Sequence, residues 1–159
     1  TPTSWIPTNT PVVTQVIIPT ALPTMTLIPK PTDNQIIRKG SIIRVYAAGT
    51  SYANVYPNMQ LLVDDHVVLE AFNVKGNPYT RMFSVYTYES PEKLSPSQIK
   101  VAFINDKSRR NLIVSKINID GIDYQTESRS VYTKYQDRSG CRSGYRRSEW
   151  LYCNGSFNY

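Results

Sequence analysis

Residues 98–127, QIKVAFINDKSRRNLIVSKINIDGIDYQTE, decide the fold. Gln98–Ile104 alternates apolar with polar side chains, and Leu112–Ile119 is rich in β-branched ones. A short third run, Ile122–Glu127, follows the turn pair Asp120-Gly121. Such period-two runs with turn residues between them are the signature of strands. Working outward, Thr80–Tyr88, His66–Val74, Met59–Val63 and Ser41–Ala48 (SIIRVYAA) repeat the pattern, with Gly49 and Thr50 leaving the last of these. Asp64-Asp65 separates two of the runs and suits a tight hairpin turn. No segment between residues 34 and 159 carries helical periodicity. Seven or more short strands in about 125 residues predict an all-β protein, an antiparallel β-sandwich of jelly-roll type rather than an open sheet.

Beyond Glu127 the character changes. Ser128–Tyr159 is rich in Ser, Tyr, Arg and Gly, and apolar alternation nearly vanishes. The expectation is a long excursion that adds no core strands, anchored by Trp150 and Leu151. Long ordered loops of this kind are commonly functional. The chain's two cysteines, Cys141 and Cys153, lie in it. Zinc needs more ligands than these and the lone His66 supply. A disulfide fits instead, and places the chain in an oxidising, extracytoplasmic compartment. Thr1 is not a start methionine, so a removed leader and secretion are expected. No apolar run approaches the length of a membrane span.

The other end differs again. From Thr1 to Thr32 nearly every second residue is Pro or Thr, and seven of the eleven prolines lie there. Proline fixes φ and removes backbone donors, so residues 1–33 form an extended arm and residues 34–159 the sandwich. As a Pro/Thr-rich linker the arm is a spacer. Val12–Ile18 (VVTQVII) is too apolar and β-prone for that role alone. Val12, Val13, Val16, Ile17 and Ile18 are therefore expected to pair with a sheet edge of a neighbouring copy. Head-to-tail donation of that kind builds an open filament of copies of this chain.

The net charge of +6 belongs to residues 34–159, because Lys30 and Asp33 cancel in the arm. No helix carries the basic residues and no nucleic-acid signature appears, so nucleic acid is excluded and an acidic glycan is the favoured charged partner. Enzymatic chemistry is unsupported. There is no Gly-x-Ser-x-Gly elbow, no phosphate loop and no histidine metal motif. His66 reads as a satisfied or solvent-facing side chain beside a turn. Glu89 and Glu92 flank Pro91 in a loop, and no pair of facing carboxylates stands out. Aromatic side chains are more telling. Tyr132, Tyr135, Tyr145, Tyr152 and Trp150 cluster in the C-terminal stretch. Flat rings and phenols are what sugar binding uses, and equally what would pack a loop onto a sandwich.

The segment Val101–Glu127, VAFINDKSRRNLIVSKINIDGIDYQTE, resembles the second half of the calcium-dependent, xylan-binding carbohydrate-binding modules of family 60. Cys141–Gly155, CRSGYRRSEWLYCNG, is similar to that family's ending, in which two half-cystines bracket Ser-Glu-Trp-Leu at fixed spacing. The resemblance covers about residues 36–159. It implies a β-sandwich in which calcium, held in loops at one end, coordinates sugar hydroxyls. Asn105, Asp106 and Glu149 keep the family's positions, with Asn111 standing where an aspartate is expected after Arg110. Arg142, Arg146 and Arg147 replace a glycine-rich stretch, and a family glutamate gives way around Tyr56–Asn58. Each change removes negative charge or adds positive charge, which predicts weak or absent calcium dependence.

Two functional readings follow. One is a non-catalytic extracellular structural subunit that assembles through its arm. The other is a carbohydrate-binding module of a secreted glycoside hydrolase or adhesin, with Trp150, Tyr145, Tyr152, Arg142, Arg146 and Arg147 as the glycan-binding residues.

Overall fold

The computed structural model describes residues 40–136 and 140–159. The arm, with its proposed assembly residues Val12, Val13, Val16, Ile17 and Ile18, lies outside them. Eleven strands occur among the described residues: β1 (Ser41–Thr50), β2 (Met59–Val63), β3 (His66–Ala71), β4 (Gly76–Asn77), β5 (Met82–Ser90), β6 (Ile99–Phe103), β7 (Asn111–Ile119), β8 (Ile122–Gln125), β9 (Tyr132–Tyr135), β10 (Trp150–Leu151) and β11 (Gly155–Asn158). Single 3₁₀ turns at Pro78–Thr80 and Pro96–Gln98 are the only helical elements among these residues. No helix there is long and apolar enough to cross a membrane.

All pairings are antiparallel and form two sheets. One runs β10-β7-β1-β5-β4, with β8 also on β7, and the other runs β3-β2-β6-β11-β9. Inward-facing residues of both sheets fill the space between them. Ile43, Val45 and Ala47 of β1 and Leu112, Val114 and Ile117 of β7 meet Met59, Leu61, Val101, Phe103 and Phe157 of the other sheet. This is the expected β-sandwich, and alternate residues of β1 and β6 are buried as period two requires. The Asp64-Asp65 hairpin is present with positive φ at both residues, 47° and 67°, as an I′-type turn requires. Asp120-Gly121 behaves alike, at 52° and 93°.

Several expectations need correction. Gly49 and Thr50 do not leave β1 but pair with Leu112 and Asn111. Glu89 is not in a loop; it pairs with Ile42 inside β5. The largest correction concerns residues 128–159, which supply three strands rather than an excursion. One of them, β11, sits between β6 and β9 with Phe157 fully buried. These strands are two to four residues long, too short to show alternation, and tertiary pairing rather than local pattern holds them. Gly155 at the start of β11 is required by close approach. A Cβ there would lie 2.4 Å from the Lys134 carbonyl oxygen.

A β-bulge marks the middle of β7. Tyr46 pairs with Lys116 and Ala47 with Val114, which leaves Ser115 as the extra residue. On the outer edge of β7, β8 pairs with Lys116–Ile119 on one side of the bulge and β10 with Leu112 and Ile113 on the other.

Candidate sugar-binding site

The 3₁₀ turn at Pro78–Thr80 begins the site. Asn77 caps it, its side-chain oxygen accepting from the Tyr79 and Thr80 N–H groups, and Pro78 supplies the fixed φ of a first helical position. Arg81 then takes a left-handed conformation, with φ at 56°, before β5 starts. Its guanidinium grips Glu149 with both forks: Nη2 donates to Oε1 at 3.0 Å and Nη1 to Oε2 at 3.1 Å. The bulged Ser115 completes the clamp, since its Oγ donates to Glu149 Oε1 at 2.9 Å and accepts from Arg81 Nη2 at 3.2 Å. The carboxylate side chain is only 10% exposed, against 64% for Arg81, so the pair is anchored from the inside.

The clamp ties the Tyr79 turn to the strand that carries Trp150. Tyr79 and Trp150 rings lie 5.9 Å apart, tilted by 50°, and Tyr152 stacks on Trp150 at 5.7 Å and 11°. Tyr79 and Tyr152 are 78% and 53% exposed. Two exposed tyrosine rings, each packed against the half-buried Trp150, offer flat faces suited to the C–H faces of sugars. The row borders a groove of about 540 Å3 lined by Thr50, Ser51, Ser108, Arg109 and Asn111 together with Tyr79 and Tyr152. Cys141 and Cys153 are disulfide-bonded, with 6.4 Å between their Cα atoms, and fasten the segment that bears Trp150 and Tyr152.

Loops at the same end are tied together by polar groups. Arg110, buried, donates from Nε to the Val55 carbonyl at 3.0 Å and from Nη1 to the Asn105 carbonyl at 2.6 Å. Asn105 Oδ1 accepts from the Asn58 N–H at 2.6 Å, and its Nδ2 donates to the Tyr56 carbonyl at 3.1 Å. Asp106 N–H donates to Asn154 Oδ1 at 2.7 Å, and Asn111 N–H donates to Thr50 Oγ1 at 3.0 Å.

Calcium takes six to eight oxygens, carboxylates foremost. Of the four residues expected to hold it, Asn105 and Asn111 are neutral, and the Asn105 amide already binds two loops. Both oxygens of Glu149 face the Arg81 guanidinium. Asp106 is the other carboxylate of the four, and amide carbonyl oxygens such as those of asparagine also serve calcium; among the described residues no group of three or more His, Cys, Asp or Glu could hold a metal.

The sequence-expected sugar residues separate into two groups. Tyr152 lines the groove, and Trp150 stacks behind it without lining it. Tyr145 packs edge-on against Tyr132, 5.1 Å away on the β9 side, and does not touch Trp150. Arg142, Arg146 and Arg147 are exposed in the disulfide-closed segment, where Arg146 Nε donates to the Arg142 carbonyl. Tyr79, Arg81, Arg109 and Ser115 were missed. Asn77-Pro78, a capping residue followed by proline, could have revealed the turn that carries Tyr79. His66 is exposed beside the Asp64 carbonyl, as expected of a turn histidine.

The fold is a β-sandwich with three aromatic rings gathered beside the 3₁₀ turn at Pro78–Thr80. The model of the family of calcium-dependent, xylan-binding carbohydrate-binding modules, family 60, matches residues 42–134, and the chain belongs to that family. Its members are non-catalytic binding modules. Two solved structures are similar. One is vCBM60 in complex with galactobiose, 31% identical, covering 74% of this chain and 96% of that one, with a TM-score of 0.53. The other is a selenomethionine form of vCBM60, from work linking two families of calcium-dependent modules by circular permutation. It is also 31% identical and covers 74% of this chain and 87% of that one, with a TM-score of 0.51. A curated relative, endo-1,4-beta-xylanase Xyn11B of Cellvibrio japonicus, is 27% identical over 95 residues. That match takes in 60% of this chain and 26% of the xylanase, so the chain spans about a quarter of its relative's length.

Proposed function

We propose that this chain is an extracellular module that holds a polysaccharide along the Tyr79–Trp150–Tyr152 row, without calcium. The observation that carries the reading is the pair of exposed rings, Tyr79 and Tyr152, packed against Trp150 and lining a groove with hydroxyl and amide groups, on a chain of this family. Sugar rings stack on the aromatic faces, while Ser51, Ser108 and Asn111 offer hydrogen bonds to ring hydroxyls. Membership of the family and the xylanase relative make xylan the first probe, and the galactobiose complex of vCBM60 makes galactan the second. The Cys141–Cys153 bond supports an oxidising setting outside the cytoplasm. Calcium independence is supported by the engagement of Glu149 with Arg81 and Ser115.

Electrophoresis through gels containing xylan, galactan or polygalacturonate tests this, with and without EDTA. Wild-type protein should be retarded equally in both buffers. Trp150→Ala should weaken binding by roughly tenfold or more, the equivalent of about 1.4 kcal/mol, without loss of fold by circular dichroism. Unchanged retardation in the variant would remove the row from the site, and abolition by EDTA would restore calcium. Assembly through the arm rests on Val12, Val13, Val16, Ile17 and Ile18, outside the described residues. A monomeric mass by light scattering excludes it.

A further inference from the structure

The groove contains a guanidinium that a neutral sugar does not need. Lys107–Arg110 forms a β-turn in which the Arg110 N–H donates to the Lys107 carbonyl at 3.1 Å and Ser108 takes a positive φ of 56°. Thr50 Oγ1 donates to the Arg109 carbonyl at 2.9 Å and pins the turn to the end of β1. Arg109 is thereby fixed at the groove, with its side chain exposed and lining it.

Nothing acidic balances that charge. No carboxylate lines the groove, and Arg109 makes no ion pair among the described residues. Glu149, just before β10, is already paired with Arg81. Position 111 carries an amide rather than an acid. A planar guanidinium with both forks available is the side chain best matched to a carboxylate or sulfate.

We propose that the groove selects anionic polysaccharides, Arg109 pairing with an acidic substituent while Trp150 and its neighbours stack on the chain. This rests on the sugar-binding reading above and narrows its substrate class. The shared chemistry is an oxyanion on a glycan, whether the carboxylate of a uronic acid or a sulfate ester.

Binding of the full chain to polygalacturonate, dextran sulfate and neutral unsubstituted xylan is compared by calorimetry at low salt. At least one anionic polymer should bind about tenfold more tightly than the neutral one, and 0.5 M NaCl should erase the advantage (~4 Å screening length). Arg109→Gln should erase it as well, leaving the variant no tighter on the anionic polymers than on neutral xylan. Lys134→Gln, which removes the same charge from the outer face of the other sheet, should preserve it. Neutral xylan bound as tightly as both anionic polymers overturns the proposal while leaving the sugar-binding reading intact. A preference that survives Arg109→Gln, or falls equally in Lys134→Gln, also overturns it. Failure of all three polymers to bind overturns both readings.

Discussion

The outer edge of β7 carries two partners, and they were built in different ways. On one side of Ser115, β8 reaches Lys116–Ile119 through the two-residue turn Asp120-Gly121. Its contacts are local and polar: Lys116 pairs with Asp123 at 2.6 Å, and Asn118 Nδ2 donates to Asp123 Oδ1 at 2.6 Å. On the other side, β10 arrives from more than thirty residues further along the chain and pairs with only Leu112 and Ile113. It is held by a buried Leu151, a disulfide and the Arg81–Glu149 clamp. Two ladder residues cannot hold a strand by themselves, so β10 depends on side chains from distant parts of the chain. That dependence lets the strand present Trp150 as one of three rings in a row. The β8 hairpin braces the sheet, and the β10 strand carries the candidate site.

Removing the buried anchor should separate the two sides most clearly. Leu151→Ala is expected to cost about 2–5 kcal/mol in urea unfolding, because Leu151 is fully buried in the core. Polysaccharide affinity should fall with it, as Trp150 loses its neighbour. A cost below about 1 kcal/mol would mean that β10 is not seated by this side chain.

The clamp sharpens the contrast through an asymmetry. Arg81→Met leaves a carboxylate buried with only Ser115 as partner, whereas Glu149→Gln leaves a guanidinium that water can reach. Arg81→Met should therefore lower the melting temperature more than Glu149→Gln, and both should weaken sugar binding by misplacing Tyr79. Equal shifts would show that the pair behaves as an ordinary surface ion pair.

The smallest effect belongs to the β8 side and is read through pH. Thr126, just past β8, shares a hydrogen bond with the Tyr159 hydroxyl. Burial pushes the Tyr159 phenol well above its ordinary range. A folded-state value raised above the unfolded one, about 10, favours the fold below pH 10 and loses that contribution as pH rises further. Tyr86 and Tyr135 shift the same way, again through burial. Unfolding free energy should thus decline from pH 9 to 11, and decline less steeply in Tyr159→Phe. Identical slopes in the two proteins would remove Tyr159 from the account, and sugar binding should be unaffected at pH 7.

How much was legible follows the same division. Strands β2 and β7 and the two turns could be placed from alternation and from Asp64-Asp65 and Asp120-Gly121, because those signals are local. Strands β9, β10 and β11 could not, since two to four residues carry no period. Of the site, Trp150 and Tyr152 were visible as a local aromatic cluster bracketed by cysteines. Tyr79, seventy-odd residues earlier, fell between two expected strands, His66–Val74 and Thr80–Tyr88, in a turn with no aromatic neighbour in sequence.

The sequence by itself determined an all-β chain, a disulfide and the kinship carried by Val101–Glu127 and Cys141–Gly155. These rest on side-chain period, turn chemistry and spacing, which act between near neighbours. Only the tertiary structure decided that Tyr79 stands beside Trp150, that Glu149 faces Arg81 and Ser115, and that Arg109 lines the groove. Each of those contacts joins residues 34 or more positions apart or depends on which loops share one end of the sandwich. Packing of the two sheets sets such distances, and no local propensity encodes them.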